Sequence, residues 1–383
     1  MADAFFNRLG NVFRRPSYTE TVSIPDVELA VVCNTVSDGS SAVSNLMNTS
    51  RSVKFRSILS SQQIDLTQLR DRLWSGCHNC DYNIRDLTWK FVIGYLPLRL
   101  DRQESVYQKK RAEYETLSRQ YEPEIERLRS NVCDKESVLF RQIRIDIPRT
   151  CFNSNKVFKD EMFSDLMQRV LYIWALRNPA CSYVQGMNDL AIPILIVLLE
   201  GKYDRDINTI SADQISQLSE VESDLYWLLS KLLQDLQDHY TDSQPGIQRM
   251  NQKLKGIIQR VDGSLFHHLE SEEVDFMQIS FRWFNCLFTR EFRHDCVLRL
   301  WDTCISEQDG FSVFIVYFAA AFLMKHSTEI KANAFQYILT LFNDSDTTRD
   351  RFDIKVIDSI IAEAYILKSL FHSSPHHLQS SAT

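Results

Sequence analysis

Residues that break helices are scarce. Ten glycines and nine prolines are spread over 383 residues, far from a Pro/Gly-rich disordered chain and in keeping with a helical one. No long apolar run is present. Phe311 to Met324, FSVFIVYFAAAFLM, is 14 residues with one serine, short of the roughly 20 that a bilayer requires. The apolar stretch after Pro193, ILIVLL, is shorter still. Both read as helices buried on most sides within a large core. There is no excess of positive charge either. The formal net charge of -7 excludes the basic surface that nucleic acid demands. The nine cysteines, at 33, 77, 80, 133, 151, 181, 286, 296 and 304, are odd in number and irregular in spacing, so no disulfide framework is implied and a reducing cytosol fits best. No secretory signal pattern opens the chain. No Walker, GxGxxG or Ser-His-Asp pattern occurs, so no nucleotide site of its own is expected.

With 44% hydrophobic and 24% charged residues, the composition is globular. One core rarely serves so many residues, so two lobes are expected. Residues 1–60 read as a flexible N-terminal region, with a small polar stretch over 38–50. Within it, Phe5, Phe6, Leu9, Val12 and Phe13 fall near helical spacing, with Arg8, Arg14 and Arg15 between and after them. Such a basic amphipathic segment suits an anionic membrane, a partner, or its own domain. From Ile64 onward the apolar steps are helical, beginning with Leu66, Leu69, Leu73 and Trp74. Helices are expected over 104–121, stopped near Pro123, and over 158–177, ended by Asn178-Pro179. Others are expected over Leu225–Leu236, 247–261, 274–288, 293–301, 311–325, 331–342 and 354–370. Strand-like alternation is confined to Ile143/Ile145/Ile147 and a brief stretch near 21–33. The chain is therefore assigned to the all-α class, with residues 371–383 as a flexible tail.

Two segments carry chemistry. In Ile143-Arg144-Ile145-Asp146-Ile147-Pro148-Arg149-Thr150, an arginine follows an aspartate by three residues, and Pro148 bars ordinary helix interior. In Ser182-Tyr183-Val184-Gln185-Gly186-Met187-Asn188-Asp189, a glutamine precedes a glycine. Alone, each reads first as ordinary structure. Asp146 and Arg149 form a local salt bridge, or Arg149 caps a half-buried strand; Gln185 enters a helix that Asn188 and Asp189 cap. Cys77-x-x-Cys80 with His78 invites a metal, but a structural zinc needs four ligands and no second pair exists. No metal is assigned.

The two segments together fit I-x-x-D-x-x-R and Y-x-Q without a mismatch, and so resemble the paired fingers of the TBC-domain GTPase-activating proteins for Rab GTPases. The flanks are similar to that family over about 300 residues, roughly 64 to 370. Leu69-Arg70 and Leu73-Trp74-Ser75-Gly76 resemble its L-R-x-x-x-W-x-G. Arg85 with Trp89 resembles R-x-x-x-W, and Gly94-Tyr95-Leu96-Pro97 its G-Y-L-P. Glu222, Asp224, Tyr226 and Trp227 resemble E-x-D-x-[YF]-W. Phe281-Arg282-Trp283 and Arg299-Leu300-Trp301-Asp302 resemble late F-R-W and R-L-W-D motifs. Ile145 to Thr150 and Tyr183 to Leu190 look like the subgroup typified by the yeast Golgi Rab activator. One departure is visible. Between Gly76 and Arg85 the chain is about three residues longer than the family pattern and lacks its I-P.

The resemblance implies an all-helical, two-lobed, V-shaped domain over 61–370, with an N-lobe to about 220 and a C-lobe from about 221. Its groove would receive a GTP-loaded Rab, which brings GTP and Mg2+. Arg149 and Gln185 would be the catalytic residues. The arginine would stabilise charge on the transferring phosphoryl group and the glutamine would position water, with Asp146 and Tyr183 holding the loops. A role in vesicle trafficking, with a cytoplasmic location and peripheral Golgi or endomembrane association, follows from the subgroup. The alternative is a non-catalytic adaptor that uses the same fold to hold a Rab or a Golgi partner.

Overall fold

Apolar residues at three- and four-residue steps become helices over almost every described segment, and among the described residues no strand forms. The computed structural model describes residues 50–78, 80–130, 135–150, 158, 160–210, 218–343 and 351–372. The all-α assignment is met. Helix α1 runs over 50–59, followed by α2 (Leu66–Trp74), α3 (Tyr82–Val92), α4 (Leu100–Ser130) and α5 (Lys135–Asp146). A 3-10 turn, Ile147–Arg149, leads on to α6 (Glu161–Arg177), α7 (Met187–Tyr203) and α8 (Leu218–Gln234). Next come α9 (Gln237–Tyr240), α10 (Pro245–Val261), α11 (Gly263–Ser271), α12 (Phe276–Asn285) and α13 (His294–Ser306). A π turn, Gly310–Phe314, opens α14 (Ile315–Lys325), and α15 (Ser327–Lys331), α16 (Phe335–Asn343) and α17 (Ile354–Phe371) complete the described chain.

The helices pack as two groups. In the first, α8 lies against α4, α6 and α7, and α3 lies along α7. In the second, α14 lies between α10 and α17. Helix α13 joins them, packing on α2, α3 and α7 as well as on α17. Asp302 of α13 explains the join. Its carboxylate is fully buried and accepts from Trp89 Nε1 at 2.8 Å, from Arg85 Nε at 3.2 Å and from the Cys77 backbone N–H at 2.8 Å. Trp301 stacks on Trp89 with centroids 6.0 Å apart. A buried carboxylate is tolerable only when its charge and lone pairs are met, and here the donors come from the segment just beyond Gly76 and from α3. Glu222 and Asp224 of α8 do the same work within the first group. Glu222 accepts from Tyr114 and Arg169, and Asp224 from Tyr95 and Arg111, with Lys90 beside it. The motif residues Arg85, Trp89, Tyr95, Glu222, Asp224, Trp301 and Asp302 are thus structural hubs.

The structure corrects three expectations. Residues 50–59 are helical, although the ordered chain was expected to start near 61. Phe55 is fully buried, and one buried aromatic anchors a helix whose polar residues hide its period. Helix α4 does not stop at Pro123 but continues to Ser130. A proline inside a helix costs about 3 kcal/mol. Beyond it, Ile125 and Leu128 are buried and Glu124 accepts from the Tyr172 hydroxyl at 2.9 Å. Burying two such side chains contributes about 1.5–3 kcal/mol each, enough to offset the break. The alternation Ile143/Ile145/Ile147 is not a strand. Ile143 and Ile145 lie in α5 and Ile147 opens the 3-10 turn, with Ile143 buried and Ile145 exposed. The expectations for residues 1–49, including the basic amphipathic segment, and for the tail from 373 lie outside the described residues.

The lengthened stretch after Gly76 is tied down at its start. Gly76 has φ +82, and a Cβ there would come within 2.7 Å of the Arg299 side chain. Burial pushes the Cys77 thiol well up, which makes it an unreactive core residue. Among the described residues no three His, Cys, Asp or Glu side chains converge as a metal site.

Candidate functional site

Arg149 is the last residue of the 3-10 turn that follows α5. The turn exists because Pro148 lacks an N–H and cannot extend α5, yet its fixed φ suits the first positions of a new helical turn. The turn places Arg149 at the surface, while Asp146 before it and Thr150 after it are buried. Gln185 is also exposed, one residue before Gly186, the N-cap of α7. Gly186 has φ +108, a left-handed conformation in which a side chain would be strained. A Cβ there would lie 2.3 Å from Asn285 Nδ2. The glycine is required by both the backbone and its neighbour.

The structure brings the two segments together. The Tyr183 hydroxyl lies 3.0 Å from Asp146 Oδ2 and 3.1 Å from Asn188 Oδ1, so its one proton is shared between acceptors on the two segments. Asn188 Nδ2 donates to Thr150 Oγ1 at 2.8 Å, and the Gly186 N–H donates to Asn188 Oδ1 at 3.0 Å. Thr150 Oγ1 in turn donates to the Asp146 carbonyl at 3.1 Å. Asp146 and Asn188 are each 1% exposed. In such a setting each bond is strengthened and its loss is costly. Burial first, then the neighbouring Asp146, pushes the Tyr183 hydroxyl far up, so it stays a donor at any physiological pH.

Asp146 and Tyr183 are therefore bonded to each other across the two segments. Asp146 does not orient the Arg149 guanidinium as the local spacing suggested. Its Oδ2 is taken by Tyr183 and by Gln142 Nε2 at 2.9 Å. Asn188 and Asp189 do not cap α7 from outside; they sit in its first turn, and both are buried.

A third segment was not anticipated. Asn285 Nδ2, at the end of α12, donates to the Gln185 carbonyl at 3.0 Å. Arg290 Nη2 reaches the Arg149 carbonyl at 3.4 Å, and Arg290 Nε donates to Asp189 Oδ2 at 3.0 Å. Between Asn285 and Arg290 the chain makes a tight turn in which Leu287 has φ 47 and Phe288 φ 63. Left-handed backbone at two successive bulky residues costs about 1–2 kcal/mol each. Packing holds it. Both side chains are fully buried, Phe288 stacks on Trp283 and Phe292, and Trp301 Nε1 donates to the Leu287 carbonyl at 3.1 Å. The Tyr240 hydroxyl fixes Asn285 by donating to its carbonyl at 2.7 Å. No sequence signal pairs these residues with the two segments, since 100 and 141 positions separate Asn285 from Gln185 and Arg290 from Arg149.

Beside Gln185 opens a cleft of about 750 Å³, lined among others by Gly186, Asp189, Phe281, Asn285 and Arg290. Phe281 is 39% exposed there, although the next two residues are committed to structure. Arg282 is clasped by Glu291, and Trp283 is in the core. An exposed guanidinium and an exposed primary amide on interlocked loops, the amide lining an open cleft with Phe281, can offer a phosphate-binding fork and a water-orienting group to a docked macromolecule.

Residues 82–331 match the family described as the Rab-GTPase-TBC domain. The human protein TBC1 domain family member 22B is 38% identical over 327 residues, covering 85% of this chain and 62% of that protein. GTPase-activating protein gyp1 of Schizosaccharomyces pombe is 37% identical over 334 residues, covering 86% of this chain and 63% of that protein. The chain thus spans less than two thirds of the length of these relatives. The crystal structure of the Ypt/Rab-GAP domain of Gyp1p is similar at a TM-score of 0.73 and 34% identity, covering 84% of this chain and 99% of that one. The Chlamydomonas flagellar RabGAP TBC domain, 17% identical with a TM-score of 0.57, shares the fold.

Proposed function

The chain belongs to the Rab-GTPase-TBC domain family, and on that premise we propose that it accelerates GTP hydrolysis on a Rab-family GTPase. One observation carries the proposal: Arg149 and Gln185 are exposed on two loops that are latched to each other through Tyr183, Asp146, Asn188 and Thr150. The Rab brings GTP and Mg2+, and this chain contributes no nucleotide site. The Arg149 guanidinium enters the Rab site and binds the transferring phosphoryl oxygens as charge builds on them. The Gln185 amide accepts from the attacking water and donates to the phosphate, in place of the GTPase's own glutamine. Such fingers are worth roughly 10³–10⁵ in rate, or about 4–7 kcal/mol of barrier.

The setting we propose is vesicle trafficking, on the cytoplasmic side of Golgi or other endomembranes. The N-terminal region would provide peripheral membrane contact. The test of the finger is Arg149→Lys, assayed as single-turnover hydrolysis on the responsive Rab. Lysine keeps the charge but not the planar fork, so activity should fall close to that of Arg149→Ala. Near-full activity in the lysine variant would falsify the assignment.

A further inference from the structure

We propose that Arg290 is a positioning residue for the arginine finger, and that the 285–290 turn is a shared anchor for both finger loops. This rests on the GTPase-activating reading above and deepens it.

A finger that acts on another protein must be held by its own backbone, because its side chain has to stay free for the partner. At Arg149 the carbonyl receives Arg290 Nη2, and at Gln185 the carbonyl receives Asn285 Nδ2. Both donors leave the finger side chains untouched. Both come from one turn, only five residues apart in the chain, and the core fixes that turn through Leu287 and Phe288. Arg290 also joins the two loops directly. Its Nε donates to Asp189, in the first turn of the helix that Gln185 leads into, while its Nη2 reaches the Arg149 loop. One planar guanidinium with several donors in fixed directions can span two such acceptors; an ammonium cannot do so with the same geometry. The Arg290 side chain is 25% exposed and the Asp189 side chain 1%, so the contact is largely shielded from solvent. The network through Tyr183 holds the loops at one point, and Arg290 holds them at a second. Two fixed points define the aim of a short loop where one would let it swing.

The test pairs kinetics on a Rab with a measurement on the free protein. Arg290→Met keeps an apolar stem, and Asp189→Asn with Arg290→Met removes the charge that the single change leaves buried. Arg290→Lys asks whether charge alone suffices. Single-turnover hydrolysis is followed at increasing concentrations of each variant, so that maximal rate and half-saturation separate. The expected result is a fall of about 10- to 100-fold in maximal rate, with half-saturation within about threefold of the parent, for Arg290→Met and for the double variant. Arg290→Lys recovers only part of the rate. In the free protein, trypsin should cut after Arg149 about tenfold faster in Arg290→Met than in the parent, because the loop opens more readily. A maximal rate equal to the parent's, or an unchanged cleavage rate after Arg149 in a variant with unchanged melting temperature, overturns the anchor role. If the parent itself accelerates no Rab, the functional reading fails, and the trypsin comparison alone then decides whether Arg290 holds the loop.

Discussion

Tyr183→Phe removes one oxygen atom and should weaken the latch between the two loops, leaving the Asn188–Thr150 bond in place. The ring of Tyr183 is buried and phenylalanine fills the same space, so no cavity is created. The lost hydroxyl serves Asp146 Oδ2 at 3.0 Å and Asn188 Oδ1 at 3.1 Å. Asp146 is 1% exposed, and its Oδ1 has no hydrogen-bond partner among the described residues. After the change the carboxylate retains, among the described residues, only Gln142 as a side-chain donor. A hydrogen bond to a charged acceptor contributes about 1.5–3 kcal/mol net. A loss near 2 kcal/mol corresponds to about a 30-fold shift in the unfolding equilibrium. Urea denaturation should show a lower midpoint at unchanged slope. The same change should slow the stimulated GTP hydrolysis on the Rab about tenfold, since the two loops lose a shared hydrogen bond. Tyr95→Phe is the control. Its hydroxyl donates to buried Asp224 at 2.6 Å, within the first helix group, so it should lower stability and leave the rate alone. If Tyr183→Phe moved neither midpoint nor rate, or slowed the reaction no more than Tyr95→Phe, the latch would not be what holds the fingers.

Gly186→Ala places a Cβ 2.3 Å from Asn285 Nδ2 at φ +108, which should cost about 1–3 kcal/mol and displace Gln185; thermal melting and the hydrolysis rate should fall together. Asp302→Ala leaves Arg85, Trp89 Nε1 and the Cys77 N–H without their buried acceptor, and breaking a buried pair costs about 3–5 kcal/mol. Soluble yield and melting temperature should both drop, and a parent-like melt contradicts the reading of Asp302 as the join between helix groups. Glu200 gives a pH prediction. Burial raises its carboxyl to about 7, against the pull of the Ile207 N–H and Arg85. The native state therefore holds this proton at pH values where the unfolded chain, near 4.3, has released it. Stability from this group is fully present below about pH 4.3 and declines as pH rises to about 7. Glu200→Gln should match the parent at low pH and exceed it by up to about 4 kcal/mol at pH 8, read by urea titrations across that range.

Much of the helical order is legible in the sequence because each stripe, such as Leu225, Leu228, Leu229, Leu232 and Leu233, is buried on one face of one helix. The period of the stripe reports that face directly. Expectations went wrong where tertiary packing overrode a local rule. Pro123 should end a helix, but Ile125 and Leu128 beyond it are buried in the core. Ile143, Ile145 and Ile147 alternate like a strand, yet only Ile143 is fully buried, and the alternation arises because one isoleucine of the helix faces solvent. The candidate finger residues were legible as a pair of motifs. Their support was not. Tyr183 and Asp146 could be named, but their bond to each other is a fact of the fold. Asn285 and Arg290 were invisible, because what distinguishes them is a strained turn that brings them to carbonyls 100 and 141 positions away.

Single-turnover GTP hydrolysis by a panel of Rab proteins, with the parent chain, Arg149→Ala and Gln185→Ala side by side, tests the two fingers most directly. Acceleration of one or two Rabs by the parent, lost from each variant while binding to the GTP-loaded Rab persists, is the predicted result. Binding to a GTP-loaded Rab without acceleration across the panel, or acceleration that survives Arg149→Ala, contradicts it and leaves the fold as an adaptor or the finger elsewhere.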